Sequence, residues 1–187
     1  MCIRDSVSSL PFDTQGRCYG TMEFLSGGEL IAYVYDINDE QHADYCVSHD
    51  RGTTWCAPQK AYFAKSIRNP QMARFGGGYF LHGRSGNLCA ERGHFVLYYS
   101  NDGIVWDEGR YLRMRGPGAG AYSNNLVVGR RCGHAPHRLL IQASHPYQEH
   151  RTNVLHWWID ERRPTTACQT EQGEAARRRA DCPIASE

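Results

Sequence analysis

Nine histidines, eight cysteines and 20 acidic residues give this 187-residue chain the side chains for metal, thiol or acid–base chemistry. Spacing decides which of these the sequence supports. His42, His49, His82, His94, His134, His137, His145, His150 and His156 form no i, i+4 pair and accompany no carboxylate motif, so no metal site is expected. The cysteines contain no Cys-x-x-Cys pair, which argues against structural zinc and a thioredoxin-type site; Cys46 and Cys56 flank one motif and leave a bridge or free thiols both open. There is no Gly-x-Ser-x-Gly elbow, Cys/His dyad or phosphate-cradling loop, and Gly76-Gly77-Gly78 reads as a hairpin turn. No cofactor is called for. What remains is Arg84, which ends the run Tyr79 to His82 between Gly83 and Ser85, where an arginine has no core in which to bury its stem; it is a ligand-binding group or a solvated rim arginine. His82 beside it is a candidate donor to the same ligand or a structural histidine. Asp36 and Asp39, in the loop Asp-Ile-Asn-Asp-Glu, are candidate acids or solvated turn carboxylates.

These groups need a scaffold, and composition bounds its kind. The chain is 41% hydrophobic and 22% charged, and its 4 Trp, 11 Tyr and 6 Phe supply enough apolar surface to exclude a disordered protein. No run approaches the roughly 20 apolar residues of a membrane-spanning helix, and 21 Lys+Arg against 20 Asp+Glu leave no electrostatic footprint for nucleic acid. Short strand-like runs recur at Tyr19–Leu25, Glu29–Tyr35, Ala43–Ser48, Gln71–Phe75, Tyr79–His82, His94–Ser100, Asn125–Val128, Arg138–Ala143 and Asn153–Ile159, separated by Gly, Asn and Asp. No amphipathic helix of three or more turns is visible. The class expected is all-β.

The ends differ from the middle. Residues 1–6 resemble translated adapter sequence and are expected to be a non-native leader. Residues 162–187 contain no Phe, Tyr, Trp, Leu, Val or Met but carry Arg177-Arg178-Arg179, and are expected to be a disordered or out-of-frame tail. Residues 7–161 form the expected folded unit.

Within that unit Ser48-His49-Asp50-Arg51-Gly52-Thr53-Thr54-Trp55 recurs in degenerate form as Ser100-Asn101-Asp102-Gly103-Ile104-Val105-Trp106, and Asn153 to Ile159 aligns with His94 to Ser100 as a fainter third echo. A period of about 50 residues with roughly four short strands per unit marks propeller blades. The first copy matches Ser-x-Asp-x-Gly-x-Thr-Trp and resembles the Asp-box of the sialidase superfamily. The resemblance implies a partial six-bladed β-propeller, about three to four blades of four-stranded antiparallel sheets. It also implies that Ser48, Asp50, Gly52, Trp55, Ser100, Asp102, Gly103 and Trp106 are structural turn residues away from the catalytic face.

The same resemblance assigns the site. The family holds the sugar carboxylate with three arginines and attacks with a tyrosine activated by a glutamate. Asn69 to Gly86 resembles the strand pair ending in the second arginine, which makes Arg84 a clamp; Arg138 to Trp157 resembles the segment delivering the third, which makes Arg151 its partner. Ala121-Tyr122-Ser123 resembles the motif around the nucleophile. These assignments conflict in chain order, so two registers stay open: Arg84 with Arg151 and a nucleophile beyond the native sequence, or Tyr122 with Arg92 as third arginine. Two departures count against activity. Asn69 or Gln71 stands where the family has its glutamate, and no first arginine or general acid is matched in residues 7–40, with Asp36 and Asp39 as the remaining acid candidates. The implied function is an exo-α-sialidase-like retaining hydrolase acting on a sialylated or other acidic glycan, inactive as an isolated fragment and sticky at its open blade edges. The alternatives are a non-catalytic glycan- or protein-binding propeller and a propeller hydrolase of a neutral sugar. A secreted or periplasmic location is what the family implies.

Overall fold

The computed structural model describes residues 9–13, 15–86, 94–112, 122–129, 137–145 and 153–161, and their regular elements are all strands. The first sheet is β1 (Arg17–Phe24), β2 (Leu30–Asp36), β3 (His42–Ser48) and β4 (Gln59–Tyr62), antiparallel in that order. The second repeats the meander with β5 (Arg68–Phe75), β6 (Gly78–Arg84), β7 (Phe95–Ser100) and β8 (Arg110–Leu112). The third has β9 (Ser123–Val128), β10 (Arg138–His145) and β11 (Asn153–Asp160). Among the described residues no helix is long and apolar enough to cross a membrane.

Period-2 alternation stacks these sheets. One core joins Ile31, Tyr33 and Tyr45 of the first sheet to Met72, Leu81 and Tyr98 of the second. The alternate residues of the second sheet, Ala73, Phe75 and Phe95, pack on Leu139, Ile141 and Ala143 of the third. The middle sheet is therefore buried on both faces, as a blade is. Each sheet begins on an inner strand, and the inner strands run parallel: the Met72 amide donates to Thr21 Oγ1 at 3.0 Å, the Arg74 amide to Glu23 Oε2 at 3.2 Å, and Asn125 Nδ2 to the Met72 carbonyl at 3.2 Å. The N-terminal ends of β1, β5 and β9 consequently open on one face of the stack.

The repeated turns lie on the other face, after β3 and β7. Ser48 Oγ donates to Asp50 Oδ1 at 2.8 Å, and Asp50 accepts the Thr54 amide at 2.8 Å and the Thr54 hydroxyl at 2.7 Å, bonds that hold its carboxyl down at about 2. In the second copy Ser100 Oγ donates to Asp102 Oδ1, which also accepts the Ile104 and Val105 amides, all at 2.8 Å. Burial opposes ionisation of Asp102, but these donors leave its net shift downward. The second turn is one residue tighter: Gly103, at φ 81°, takes the amide bond to the serine hydroxyl that Gly52 makes in the first. A Cβ at Gly103 would sit 2.9 Å from Leu25 Cδ2, so both backbone angle and space call for glycine.

Two strands escape sequence reading. β4 and β8 are short outer strands with little apolar alternation, β4 burying only Ala61. β5 also begins three residues before the expected Gln71, because a bulge between Arg68 and Gln71 lets Asn69-Pro70 stay within the strand. Gly76 and Gly77, at φ 62° and 83°, make the expected two-residue hairpin turn. Cys18, Cys46 and Cys56 are free thiols, and burial pushes the Cys46 thiol up to about 11.

Candidate functional site

The face where the inner strands begin collects the polar chemistry. β1 opens with Arg17 paired in register with Asp36, β5 with Arg68 paired with Arg84, and Tyr122 immediately precedes β9. The bulges at the starts of β1 and β5 are reached through left-handed residues, Tyr19 at φ 37° and Asn69 at φ 52°. Such bulges re-aim side chains, and non-glycine residues in this region carry strain that the surrounding structure must hold.

The three arginines on this face are not equivalent. Arg17 is committed: Nη1 contacts Asp36 at 2.5 Å and Nε contacts Asp44 at 2.6 Å, and both carboxylates are nearly buried. Arg68 is committed as well, to the buried Glu40 at 3.3 Å and to the Tyr35 hydroxyl at 3.1 Å. Arg84 differs, because its Nε is buried and has no hydrogen-bond partner among the described residues. An unpaired cationic N–H in a desolvated position costs free energy that an anionic ligand would recover. Asn69 nearby is 4% exposed, and neither of its side-chain polar atoms has a hydrogen-bond partner among the described residues.

Tyrosines line the same region. The exposed Tyr19 and Tyr122 meet hydroxyl to hydroxyl at 3.2 Å, and the Tyr19 ring stacks on Tyr35 with centroids 6.4 Å apart.

His82 has a different task from the substrate donor expected of it. It is fully buried; Nδ1 donates to Ser123 Oγ at 3.0 Å and Nε2 accepts from Asn125 Nδ2 at 3.1 Å. With both nitrogens engaged it ties β6 to β9, and so sets Arg84 and Tyr122 at neighbouring strand ends. Burial disfavours the imidazolium and lowers its ionisation to about 3. Because the folded value lies below the unfolded one near 6.5, the stabilisation is complete above about pH 6.5 and is lost as pH falls from there toward 3. Replacing His82 by Gln is therefore expected to flatten the loss of thermal stability between pH 7 and pH 5. A His82→Gln melting profile with the wild-type pH slope would contradict this.

The acid candidates also read differently in three dimensions. Asp36 is spent on Arg17. Asp39 accepts a 2.9 Å bond from His42 Nδ1, which holds its carboxyl below the usual range, the wrong direction for a group that must arrive protonated. No carboxylate hydrogen-bonds the Tyr122 hydroxyl among the described residues. Arg92, Arg151, residues 1–6 and residues 162–187 lie outside those residues.

No family model and no curated protein matches the chain. Solved structures do. A mutant of the NanB sialidase from Streptococcus pneumoniae superimposes with TM-score 0.52 at 16% identity, over 74% of this chain and 20% of that one. Zg3597, a family 117 glycoside hydrolase produced by the marine bacterium Zobellia galactanivorans, gives 0.57 at 15%, over 80% and 55%. An α-L-arabinofuranosidase from Fusarium graminearum gives 0.53 at 18%, over 78% and 45%. The described sheets have the fold of part of a β-propeller. The chain spans a fifth to about half of the length of these structures.

Of the residues on this face, the sequence singled out Arg84 and Tyr122 but not Arg17, Tyr19, Arg68 or Glu40. Their partners lie on other strands: Arg17 is 27 residues from Asp44, and Tyr19 is 103 from Tyr122. The one local signal available was the Asn69-Pro70 break beside Arg68.

Proposed function

We propose that the chain carries the sugar-binding face of a propeller glycoside hydrolase that acts on an acidic sugar, terminal sialic acid being the class, with retention of configuration. The observation that carries this reading is Arg84 Nε, buried and without a hydrogen-bond partner among the described residues at the opening face, while Arg17 and Arg68 already hold carboxylates of their own. In this reading the Arg84 fork pairs with the sugar carboxylate, assisted by Arg92 or Arg151 according to register. Tyr122 oxygen attacks the anomeric carbon as the bond to the aglycone breaks, its proton passing to solvent and the aglycone oxygen taking a proton from water; water then displaces Tyr122, so two inversions retain the configuration, and a neutral phenol does not repel the substrate's own carboxylate.

A specific observation favours a second reading, a glycan-binding propeller without turnover. Tyr122 meets a phenol where a hydrolase needs a proton acceptor, and Asn69 and Gln71 cannot serve as one. The arabinofuranosidase among the similar folds keeps a hydrolase of neutral sugars as the third.

Calorimetric titration of the chain with 3′-sialyllactose and with arabinobiose separates them. Binding of the first alone is the expected result, and release of sialic acid on prolonged incubation would show turnover. Binding of arabinobiose alone would move the chain to the neutral-sugar class, and binding of neither would remove the acidic-sugar reading.

A further inference from the structure

We infer that Tyr19 is a positioning residue whose hydroxyl holds the Tyr122 oxygen and donates to it once Tyr122 has lost its proton, stabilising the phenolate without accepting the proton as the family's glutamate is expected to. This rests on the reading of Tyr122 as the nucleophile. The two hydroxyls are 3.2 Å apart and the rings meet edge to face, with centroids 5.6 Å apart and planes at 60°. The contact crosses from β1 to the residue preceding β9, so only the stacking of the sheets creates it.

Tyr19 is built for a fixed direction. Its φ of 37° is one that tyrosine rarely adopts, and it sits in the bulge between Cys18 and Gly20. An unstrained strand residue would alternate with its neighbours and project to one side of the sheet or the other; the bulge turns this one toward β9. Its ring lies flat on Tyr35, at an interplanar angle of 5°. Tyr35 is itself clamped, its hydroxyl accepting from Arg68 Nη2 at 3.1 Å and Nε at 3.4 Å, while the buried Glu40 pairs with the same Nε at 3.3 Å. The brace thus runs from a partly buried ion pair through two stacked phenols to the exposed Tyr122.

A phenol can stabilise a phenolate only by keeping its own proton. When Tyr122 passes its proton to solvent hydroxide, giving water and a phenolate, the Tyr19 O–H turns toward the new anion and stays bonded to its own hydrogen. The hydrogen bond to Tyr122 raises Tyr19 above the ordinary phenol range, followed by the charge of Tyr122 and smaller contributions from burial, Tyr35 and Cys18. The cationic Arg68 faces this group from β5 through Tyr35.

Carbon-13 resonances of the full chain labelled at tyrosine Cζ report each ionisation directly, and Tyr122→Phe and Tyr19→Phe assign the two signals. In the wild type Tyr122 should titrate at lower pH than Tyr19. In Tyr19→Phe, which keeps the ring stack and removes the donor, the Tyr122 midpoint should rise by about one pH unit, tenfold in its ionisation constant. An unchanged Tyr122 midpoint, or a wild type in which Tyr19 ionises first, would overturn the inference. If Tyr19→Phe perturbs folding, the order of the two wild-type midpoints still decides, with the Tyr19 signal taken from a Tyr19→His chain. Neither midpoint requires a sugar, so a failed glycan titration and a failed phenol titration point to different errors.

Discussion

Replacing Tyr33 by alanine is expected to lower the unfolding free energy by about 3–5 kcal/mol, the usual cost of truncating a buried aromatic, and replacing it by phenylalanine by about 1–3 kcal/mol. Tyr33 is 0% exposed and sits between the first two blades. Its hydroxyl donates to the Gly103 carbonyl at 2.7 Å and accepts from Trp106 Nε1 at 3.3 Å, so one side chain satisfies two groups of the second blade's turn. Its ring is tilted on Tyr45 and edge-on to Trp106, with centroids at 5.5 and 6.1 Å. Burial pushes the phenol well above its ordinary ionisation, so it remains a donor at any physiological pH. Phenylalanine keeps the packing but strands the Gly103 carbonyl and the Trp106 N–H; alanine opens a cavity as well. Typical domains have only about 5–15 kcal/mol of stability in total, so the alanine variant should approach unfolding at room temperature. Urea titration followed by tryptophan fluorescence measures both. A loss under about 1 kcal/mol for alanine would mean that the two blades are not energetically coupled through this residue.

Replacing Arg84 by alanine is expected to weaken binding of a carboxylate-bearing sugar by about 10- to 100-fold, because hydrogen bonds to a charged group contribute about 1.5–3 kcal/mol. Arg84→Lys keeps the charge but not the planar fork and should recover only part of that loss. A neutral disaccharide should bind either variant as it binds the wild type. The contrast with the other two arginines supplies the control. Removing Arg17 strips Asp36 and Asp44 of their counter-charge, and removing Arg68 does the same to Glu40, so those variants report on folding before they report on ligand. Calorimetry with 3′-sialyllactose reads the affinity, and undiminished binding by Arg84→Ala would assign the clamp to another group.

Much of the scaffold was legible in one dimension because its signals are local. A run such as Leu30 to Tyr35 needs only strand length with β-branched and aromatic composition, and the turn of Ser48 to Trp55 bonds within seven residues. β4 and β8 were invisible because they are only four and three residues long and show no apolar alternation. Arg84 was legible because Gly83 and Ser85 mark a strand end, and Tyr122 through a short motif.

What the arginines and tyrosines do was decided by the tertiary structure. Identical guanidinium groups at Arg17, Arg68 and Arg84 differ only in which carboxylates the adjoining strands and loops bring to them. His82, a plausible ligand donor by its position beside Arg84, is a strut between two blades because Ser123 and Asn125 arrive from 41 and 43 residues away. Tyr19 meets Tyr122 across 103 residues for the same reason. By itself the sequence determined strand period, turn chemistry and the kind of fold, since those follow from neighbours along the chain. Which charges are neutralised and which phenols touch depends on how successive sheets stack, and that is set by the two apolar cores between them rather than by any local pattern.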